Sequence, residues 1–375
     1  MIYLDYSANT PVDARVLEQF CAVERRCIGN ANSHHQAGSA AKAEIDAATI
    51  RIASLLGVQP AEIIYTSGAS EANNFALKGL ARLSRHAGRH IISTPLEHSS
   101  VSGTLTALQE QGYEIDLLDV KQDGTVDLEH LKDLLRPDTI CVAVTLVDSE
   151  LGVVQPVQEI AAILKAYPHC HLHVDATQAV GKIPVSFEGV DTMSLTAHKF
   201  YGLNGIGLLI KRRNLALEPL IHGGESTTIY RSGTPTVALA SSLACALDFA
   251  VTDLPGRVDH VAKLNAELRA ALSTYPLVRI NSPDHAIPHV LNLSVRNVKG
   301  TVFQRELDAK GVCVSVKSAC SSDGLPSRAV FAVSRDRRNA LSSWRISLSH
   351  LTTEDEIKAF LQAFDVCYRE LTAVH

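Results

Sequence analysis

The chain has 375 residues and a formal net charge of −5 at pH 7, which favours two domains of unequal size over one core. Its 46% hydrophobic and 20% charged residues are typical of a globular enzyme and exclude a chain that is disordered over most of its length. Acidic residues outnumber basic ones and no basic block occurs, so direct binding to nucleic acid or to an anionic membrane surface is not expected.

The N-terminus and the cysteines indicate a cytoplasmic protein. The segment MIYLDYSANT lacks the basic flank and apolar run of a secretory signal, and the longest weakly polar stretch, 236–251, is too short to cross a bilayer. We therefore expect a cytoplasmic chain without a membrane-embedded part. Eight cysteines without a CxxC pair argue against disulfides and a thioredoxin-like dithiol, and we expect no metal site.

Amphipathic segments alternate with short β-rich runs between about residues 37 and 250. A helix is predicted over 38–57, because apolar residues from Ala41 to Leu55 recur every three or four positions before Gly57. Strands are predicted over the runs 62–66, 90–94, 139–147, 171–175, 192–195 and 206–210. Since parallel strands need crossover connections, this alternation predicts an α/β fold with a mostly parallel sheet and helices on both faces.

The pattern changes at Leu254-Pro255-Gly256, where we predict a break between domains. A helix around 257–274 follows, then alternating strands and a final amphipathic helix that begins with the capping box Thr353-x-x-Glu356. We therefore predict a large domain of residues 13–253 and a smaller α+β domain formed by residues 1–12 and 254–375.

Two residues in the large domain indicate an electron-sink cofactor. Lys199 follows the predicted strand 192–195 in the segment TAHKFYGLNGIGLLI, where desolvation would lower its pKa as a Schiff-base amine requires. Asp175 ends the predicted strand in HVDATQAVG, and a carboxylate at such a strand end can hold a protonated pyridine nitrogen. The alternatives are a surface lysine in a turn and a helix cap. Together the two residues fit pyridoxal phosphate.

Two further motifs supply candidate cofactor contacts. In YTSGASEANN a Ser/Gly turn separates a strand from a helix, so the backbone amides around Ala69 and the Ser70 hydroxyl can bind a phosphate. His98, after the run 90–94, can stack on a flat cofactor and act as an acid or base. The alternatives are a simple helix cap and an ordinary structural histidine.

Two candidate substrate residues lie in the second half of the chain. Cys320 occupies the Ser/Gly/Pro-rich stretch 317–328, where a thiol is expected to be exposed and reactive unless it is an incidental loop cysteine. Arg345, in SSWRISLSH, can bind a substrate carboxylate through two hydrogen bonds, or it can form a surface ion pair.

Taken together, these segments resemble the NifS/IscS-like cysteine desulfurases, in the class V aminotransferase group of fold-type I pyridoxal-phosphate enzymes. The resemblance spans nearly the whole chain, in family order and at similar intervals, through YLDYSANTPVD, TSGASEANN, EH, DSELGVVQ, HVDATQAVGK, AHKFYG, RSGT, SACSS and RISLSHLTTEDEI. It implies conversion of L-cysteine to L-alanine, a persulfide on Cys320, and sulfur transfer to an acceptor protein. The acceptor could serve iron–sulfur cluster assembly, tRNA thiolation or a thiolated cofactor.

The resemblance also implies cofactor roles for the matched residues. Lys199 would bind the cofactor aldehyde, Asp175 would pair with the pyridine nitrogen, Gln178 would meet the phenolic oxygen, and His98 would stack on the ring. Phosphate contacts are implied for Ser70, Thr196, His198 and, from the second subunit of an obligate homodimer, Thr234.

On the substrate side, the resemblance makes Cys320 the persulfide-forming residue and Arg345 the residue that holds the carboxylate of L-cysteine. Several positions depart from the family pattern. Ser149 stands where the VNNEIG motif of many relatives has an asparagine near cofactor and substrate. The family's HGGGxE stretch reads HGGES at 222–226, and Ser349-His350 replaces the usual Gly-Arg pair. We expect both departures to alter the entrance of the active site. After Cys320 the chain has SSDGLPS in place of the SLEP of many relatives. We expect this replacement to change which acceptor protein receives the sulfur.

Two alternative functions stay open at this point. A selenocysteine lyase or a β-eliminating lyase on the same scaffold would release its product without Cys320. A non-catalytic scaffold that binds a sulfur-transfer partner would keep the fold without the cofactor, and the presence of both Lys199 and Asp175 counts against it.

Overall fold

The computed structural model describes residues 1–317 and 325–373. Its helices are α1 Ala14–Arg26, α2 Gln36–Leu56, α3 Ala69–Leu83, α4 Ser99–Gln109, α5 Leu128–Leu134, α6 Val157–Leu164, α7 Val237–Thr252, α8 Leu254–Leu272, α9 Gly300–Ala309, α10 Arg328–Ser334, α11 Arg337–Ser342 and α12 Glu354–Thr372. Its strands are β1 Ile2–Tyr3, β2 Ile63–Thr66, β3 His90–Ser93, β4 Glu114–Leu117, β5 Thr139–Thr145, β6 His171–Asp175, β7 Thr192–Thr196, β8 Gly207–Lys211, β9 Val278–Ile280, β10 Val290–Val295, β11 Val312–Cys313 and β12 Ser343–Ser347.

A seven-stranded sheet in the order β2-β8-β7-β6-β5-β3-β4 forms the centre of the first half of the chain. Only β8 runs antiparallel to its neighbours, β2 and β7. Every residue of β5, β7 and β8 is buried, as expected for strands covered on both faces. The predicted α/β fold with a mostly parallel sheet is therefore confirmed. The sequence analysis missed β4, a short edge strand whose residues are only half-buried or exposed.

Helices cover both faces of this sheet. On one face a core that includes Ile52 of α2, Ile160 of α6 and Leu243 of α7 packs against the strands, and on the other a core forms around Phe75 of α3 and Leu105 of α4. The predicted first long helix is confirmed as α2. It ends at Gly57, whose φ of 66° lies in the left-handed region that glycine adopts at low cost.

A second core surrounds the three-stranded antiparallel sheet β12-β10-β9. There Trp344 of β12 stacks on Phe303 of α9 with ring centroids 5.1 Å apart. The predicted capping box Thr353/Glu356 opens α12 and is confirmed. Leu4 belongs to this core, because β1 pairs in parallel with β11 and brings the N-terminus beside it.

The segment around Pro255 differs from the predicted break. Pro255 lies in the first turn of α8, where a missing backbone N–H costs little, so α8 begins directly after Asp253. Helices α7 and α8 meet there at an angle of 64°. The proposed domain boundary itself stays a prediction.

No helix of residues 1–317 and 325–373 is by itself long and apolar enough to cross a membrane. Only α7 and α8 taken together reach that length and composition, across their 64° bend.

Candidate active site

A cavity of about 350 Å³ opens where the carboxyl ends of β5, β6 and β7 meet the first turn of α3. This is the edge at which doubly wound sheets bind ligands. Most of the candidate residues from the sequence analysis line it, namely Ala69, Ser70, His98, Ser149, Asp175, Gln178, Thr196, His198, Lys199 and Arg345. Residues that are more than 270 positions apart in the sequence thus share one cavity.

Asp175 ends β6 and points its carboxylate at the cavity with both oxygens held. Its Oδ2 accepts the side-chain amide of Asn73 at 2.8 Å, and its Oδ1 accepts the backbone N–H of Thr177 at 2.9 Å. The side chain is only 4% exposed. These two hydrogen bonds fix the orientation of the carboxylate at the cavity.

The sequence analysis missed the buried chain of contacts that supports Asp175. Asn73, on α3, accepts from His173 Nε2 at 3.0 Å and from the Ser194 hydroxyl, while His173 Nδ1 contacts Thr192 Oγ1 at 2.9 Å. Burial lowers the pKa of His173, so the imidazole is neutral at pH 7. Asn73 and His173 each lie within a helix or strand whose sequence is typical of a buried core element. Only their hydrogen-bond partners in the folded structure show that they support Asp175.

Lys199 follows β7 in a short turn, 197–199, that projects its side chain into the cavity. The Nζ atom donates to the backbone carbonyls of Ser7 and Ala8 at 2.8 and 2.6 Å. The N-terminal segment therefore holds the amine at the end of β7, in the cavity that Asp175 also lines.

The first turn of α3 forms the anion-binding end of the cavity. Ala69 and Ser70 begin the helix, and Gly68 precedes it with a φ of 154°. Backbone N–H groups at a helix start attract anions. Thr196 and His198 lie beside this turn, with Thr196 Oγ1 and His198 Nδ1 3.0 Å apart. Burial, and to a smaller extent the positive charge of Lys199, lowers the pKa of His198 to about 4.

Gly207 of β8 explains how close this turn lies to the sheet. A Cβ atom there would stand 2.7 Å from the Cα of Gly68, nearer than a real side chain allows. The two glycines thus permit the backbone approach that closes the anion-binding end.

His98 caps α4 at the wall of the cavity. Its Nδ1 accepts the backbone N–H of Ser100 at 3.1 Å, so in the neutral ring the proton lies on Nε2. Burial lowers the pKa of His98, against the opposing effect of the Asp175 charge. Its neighbour Glu97 accepts from Thr94 Oγ1 and Thr145 N, both at 2.8 Å, and burial raises the Glu97 pKa to about 8.

Another part of the cavity lining is built around Arg345 on β12. Its side chain is 2% exposed, and it donates from Nη2 to Asp5 Oδ1 at 3.0 Å and from Nη1 to the Ser149 carbonyl at 2.7 Å. Asp5 is itself held by the Ser315 hydroxyl at 2.7 Å. Arg345 and Ser149 were both candidates from the sequence, and their substrate roles stay predictions. Asp5 was missed, because its position beside the arginine depends on the fold.

Thr234 lies away from the cavity within this single chain. It lines a separate cavity of about 230 Å³ that also includes Tyr65 and Arg231. Arg231 Nε bonds Glu71 Oε1 at 3.0 Å and so joins this segment to the first turn of α3. A phosphate contact of Thr234 from a second subunit stays a prediction, and Cys320 lies outside the described residues.

The departures Ser349 and His350 pack against Tyr201 rather than line the cavity. The Tyr201 hydroxyl lies 2.5 Å from Ser349 Oγ, and the rings of Tyr201 and His350 have centroids 4.5 Å apart. Tyr201 has a φ of 67°, a left-handed conformation that is uncommon outside glycine. These contacts hold the turn two residues beyond Lys199.

The donor set of the cavity fits pyridoxal phosphate. This group needs an anion site, a carboxylate for its ring nitrogen, a flat wall and a nearby amine, and the four lie around one cavity of suitable size. The hydroxyl of Thr177 is buried on the lining without a hydrogen-bond partner among the described residues. A buried unpaired hydroxyl in a cavity indicates a site that a polar ligand completes.

Comparisons with known proteins agree with this geometry. The family model "Aminotransferase class-V" matches residues 2–360. The chain is 40% identical over 365 residues to the cysteine desulfurase IscS of Proteus mirabilis strain HI4320, covering 95% of this chain and 90% of that protein. A solved NifS-like protein superposes with a TM-score of 0.92 at 35% identity and 99% coverage of both chains. A structure of SspA in complex with cysteine gives 0.83 at 30% identity, covering 94% of this chain and 100% of that one.

Proposed function

The chain belongs to the class-V aminotransferase family, and we propose that it passes the sulfur of L-cysteine to Cys320 as a persulfide and then to an acceptor protein. It is a pyridoxal-phosphate-dependent cysteine desulfurase of the NifS/IscS group. The observation that carries the proposal is the convergence of the Lys199 amine, the Asp175 carboxylate and the start of α3 on one cavity.

Pyridoxal phosphate, when bound, supplies an electron sink for the negative charge that develops at the α-carbon of the amino acid. Asp175 would hold a proton on the ring nitrogen, because two hydrogen bonds fix the orientation of its side chain at the cavity. Ala69 and Ser70, at the start of α3, bind the phosphate. His98, whose pKa is lowered by burial, would cover one face of the ring.

Arg345 binds the carboxylate of cysteine. Its guanidinium is held in place before substrate arrives by Asp5 and by the Ser149 carbonyl, so little side-chain freedom is lost on binding. The buried Nε has no partner among the described residues. An arginine that is oriented in this way selects α-amino acids over amines that lack a carboxylate.

Lys199 would carry the cofactor and afterwards move the α-proton of the substrate. An amine at the end of β7, directed by two carbonyls of the N-terminal segment, stands within reach of both tasks. His98 Nε2–H offers a second proton donor at the same wall of the cavity.

Sulfur transfer then requires a thiol. The Cys320 thiolate attacks the sulfur of the bound cysteine, an S–S bond forms as the C–S bond breaks, and the electron pair of that bond remains on carbon, which takes up a proton as alanine forms. Described residues flank the segment that carries Cys320: Lys317 Nζ donates to the Leu325 carbonyl at 3.1 Å, and Ser327 Oγ donates to Glu150 at 2.5 Å.

Replacing Cys320 by Ser tests this assignment. We expect alanine formation from cysteine to be lost while alanine formation from selenocysteine and the yellow absorbance of the bound cofactor persist, because the chemistry at the cofactor does not need the thiol. Cys21→Ser is the matched control and should retain full cysteine turnover. Retained turnover in the Cys320 variant would favour a selenocysteine lyase or β-eliminating lyase, and purified protein without the absorbance would favour the non-catalytic scaffold.

The partners and location are also part of the proposal. An obligate homodimer would bring Thr234 of one subunit to the phosphate of the other, supported by the link of its segment to α3 through Arg231 and Glu71. We propose a cytoplasmic enzyme whose acceptor serves iron–sulfur cluster assembly or tRNA thiolation. Transfer of labelled sulfur from cysteine to purified candidate acceptors would identify the acceptor.

A further inference from the structure

Lys182 is a buried lysine next to the active-site cavity that the mechanism above does not use. It lies in the turn after β6 and is only 6% exposed. Its Nζ donates to Gln178 Oε1 at 2.5 Å. Burial, together with the charges of Lys199 and Arg345, lowers the pKa of Lys182 to about 7. The fold therefore places a lysine where its charged form is disfavoured, which calls for a reason other than stability.

Gln178 shows what this contact accomplishes. A side-chain amide has an accepting end and a donating end, and the two can exchange by a flip about the last torsion. Lys182 occupies the oxygen of Gln178, while Gln178 Nε2 donates to the Ser7 carbonyl at 2.9 Å. Since a carbonyl only accepts, both contacts require the same orientation of the amide.

The orientation matters because Gln178 lines the cavity. Its Nε2 carries two protons, and the structure assigns one of them to Ser7. The other is available to an acceptor in the cavity. The flipped amide would instead set its oxygen against the Ser7 carbonyl and offer the cavity no donor.

We propose that Lys182 is a positioning residue that holds Gln178 with its Nε2 directed at the phenolic oxygen of pyridoxal phosphate. The inference rests on the proposed role of Gln178 as a cofactor ligand. Lys182 itself does not touch the cofactor; it acts through the amide, and Ser7, which also accepts from Lys199, completes the arrangement.

A double-mutant cycle tests the proposal. In Lys182→Met, we expect the pyridoxal phosphate dissociation constant of the resolved and reconstituted enzyme to rise about tenfold, the size of one hydrogen bond to a charged group. Gln178→Leu should weaken binding by a similar factor, and the double variant should bind no more weakly than Gln178→Leu alone, because both changes remove one interaction. Additive losses, or an unchanged constant in Lys182→Met, would overturn the proposal.

Two further readouts separate positioning from a merely structural role. The pH midpoint of the cofactor absorbance should rise in Lys182→Met, since loss of the donor to the phenolic oxygen and loss of a nearby cation both favour the protonated chromophore. The thermal midpoint of the apoenzyme should stay equal or rise, because a buried charge is removed. An unmoved absorbance midpoint would contradict the proposal.

Two controls make every outcome decisive. Lys182→Gln keeps an uncharged donor and should restore part of the affinity for pyridoxal phosphate. If the Met variant fails to fold, Lys182→Gln and Gln178→Leu are compared instead. In that case, a Lys182→Gln variant with wild-type affinity and an unchanged absorbance midpoint would overturn the proposal. Lys211→Met removes another buried lysine, which bonds backbone carbonyls elsewhere, and should leave cofactor affinity unchanged. Wild-type enzyme that binds no cofactor would refute the proposed function instead.

Discussion

The proposed cofactor side and the proposed substrate side of the cavity are built in different ways. Asp175, Thr196 and Lys199 come from two adjacent parallel strands and the turn that follows them, within 25 residues of chain. Arg345 and Asp5 come from β12 and the N-terminal segment, 340 residues apart, and meet at 3.0 Å beside the second core. One side is therefore a property of a sheet edge, and the other a property of how two parts of the molecule meet.

Because of this difference, we expect substitutions on the two sides to affect different steps of the reaction. A substitution on the cofactor side acts on an element that is buried on both faces and backed by Asn73, so its effect should stay local to the cofactor chemistry. A substitution on the substrate side acts on a contact between distant segments, so it should change substrate affinity first. Four experiments test whether the two sides differ in this way.

The largest effect is expected from Lys199→Ala, which removes the amine that we propose carries the cofactor and moves the α-proton. Alanine formation from cysteine should fall by about a thousandfold or more. Borohydride reduction of the wild-type holoenzyme followed by peptide mapping should attach the cofactor to Lys199, with Lys211, a buried lysine elsewhere, unmodified. An adduct on another lysine would remove the premise of the cofactor side.

Asp175→Asn should follow, with kcat reduced about a hundredfold and KM for cysteine changed much less, because the charge that holds the ring proton is lost while the shape is kept. The matched control is Asp191→Asn at the opposite end of the same strands, where the Asp191 carboxylate accepts the Leu172 N–H at 2.8 Å. Steady-state kinetics distinguish the two. A rise in KM alone in Asp175→Asn would place this residue on the substrate side.

Arg345→Lys is expected to raise KM for cysteine about tenfold or more with a smaller change in kcat, since a lysine cannot reproduce the fork of hydrogen bonds that a carboxylate receives from arginine. The same variant should lose little with cysteamine, which has the thiol and amine of cysteine without its carboxylate. Equal losses with both compounds would show that Arg345 supports the cavity rather than the substrate.

The smallest effect concerns the pH dependence of stability. Burial raises the pKa of Glu97 from 4.5 to about 8, so the unfolded chain releases this proton at lower pH than the folded one. The folded state of the wild type therefore loses stability as pH rises from about 4.5 to 8, and the loss then levels off. Glu97→Gln keeps an oxygen for Thr94 and Thr145 and cannot ionise.

The thermal midpoint of Glu97→Gln should match that of the wild type near pH 4.5 and exceed it increasingly towards pH 8. The excess should be about 2–4 °C for each kcal/mol by which the free energies of unfolding differ. Glu62→Gln, at another buried glutamate far from the cavity, serves as the control. A difference that is constant across this pH range would show that ionisation of Glu97 is not its cause.

The sequence led to several residues of the cavity lining because their signals are local. Asp175 ends an apolar run, Lys199 follows the next one, and Ser70 opens a helix after a Ser/Gly turn, so strand ends and helix starts can be located without a structure. Asn73 and His173 were not predicted, because they give no such local signal. Each lies inside a regular element, and a polar residue there gains meaning only from the neighbour that it bonds.

The alternation of strands and helices, and the residues at strand ends, were determined by the sequence itself, since hydrophobic periodicity and turn chemistry act over a few residues. Tertiary structure alone decided that Asp5 holds Arg345, that Lys182 bonds Gln178 next to the cavity, and that Ser349 and His350 brace Tyr201. The physical reason is that these contacts join side chains across the fold, and hydrogen bonds of this kind leave no period or motif in the chain that makes them.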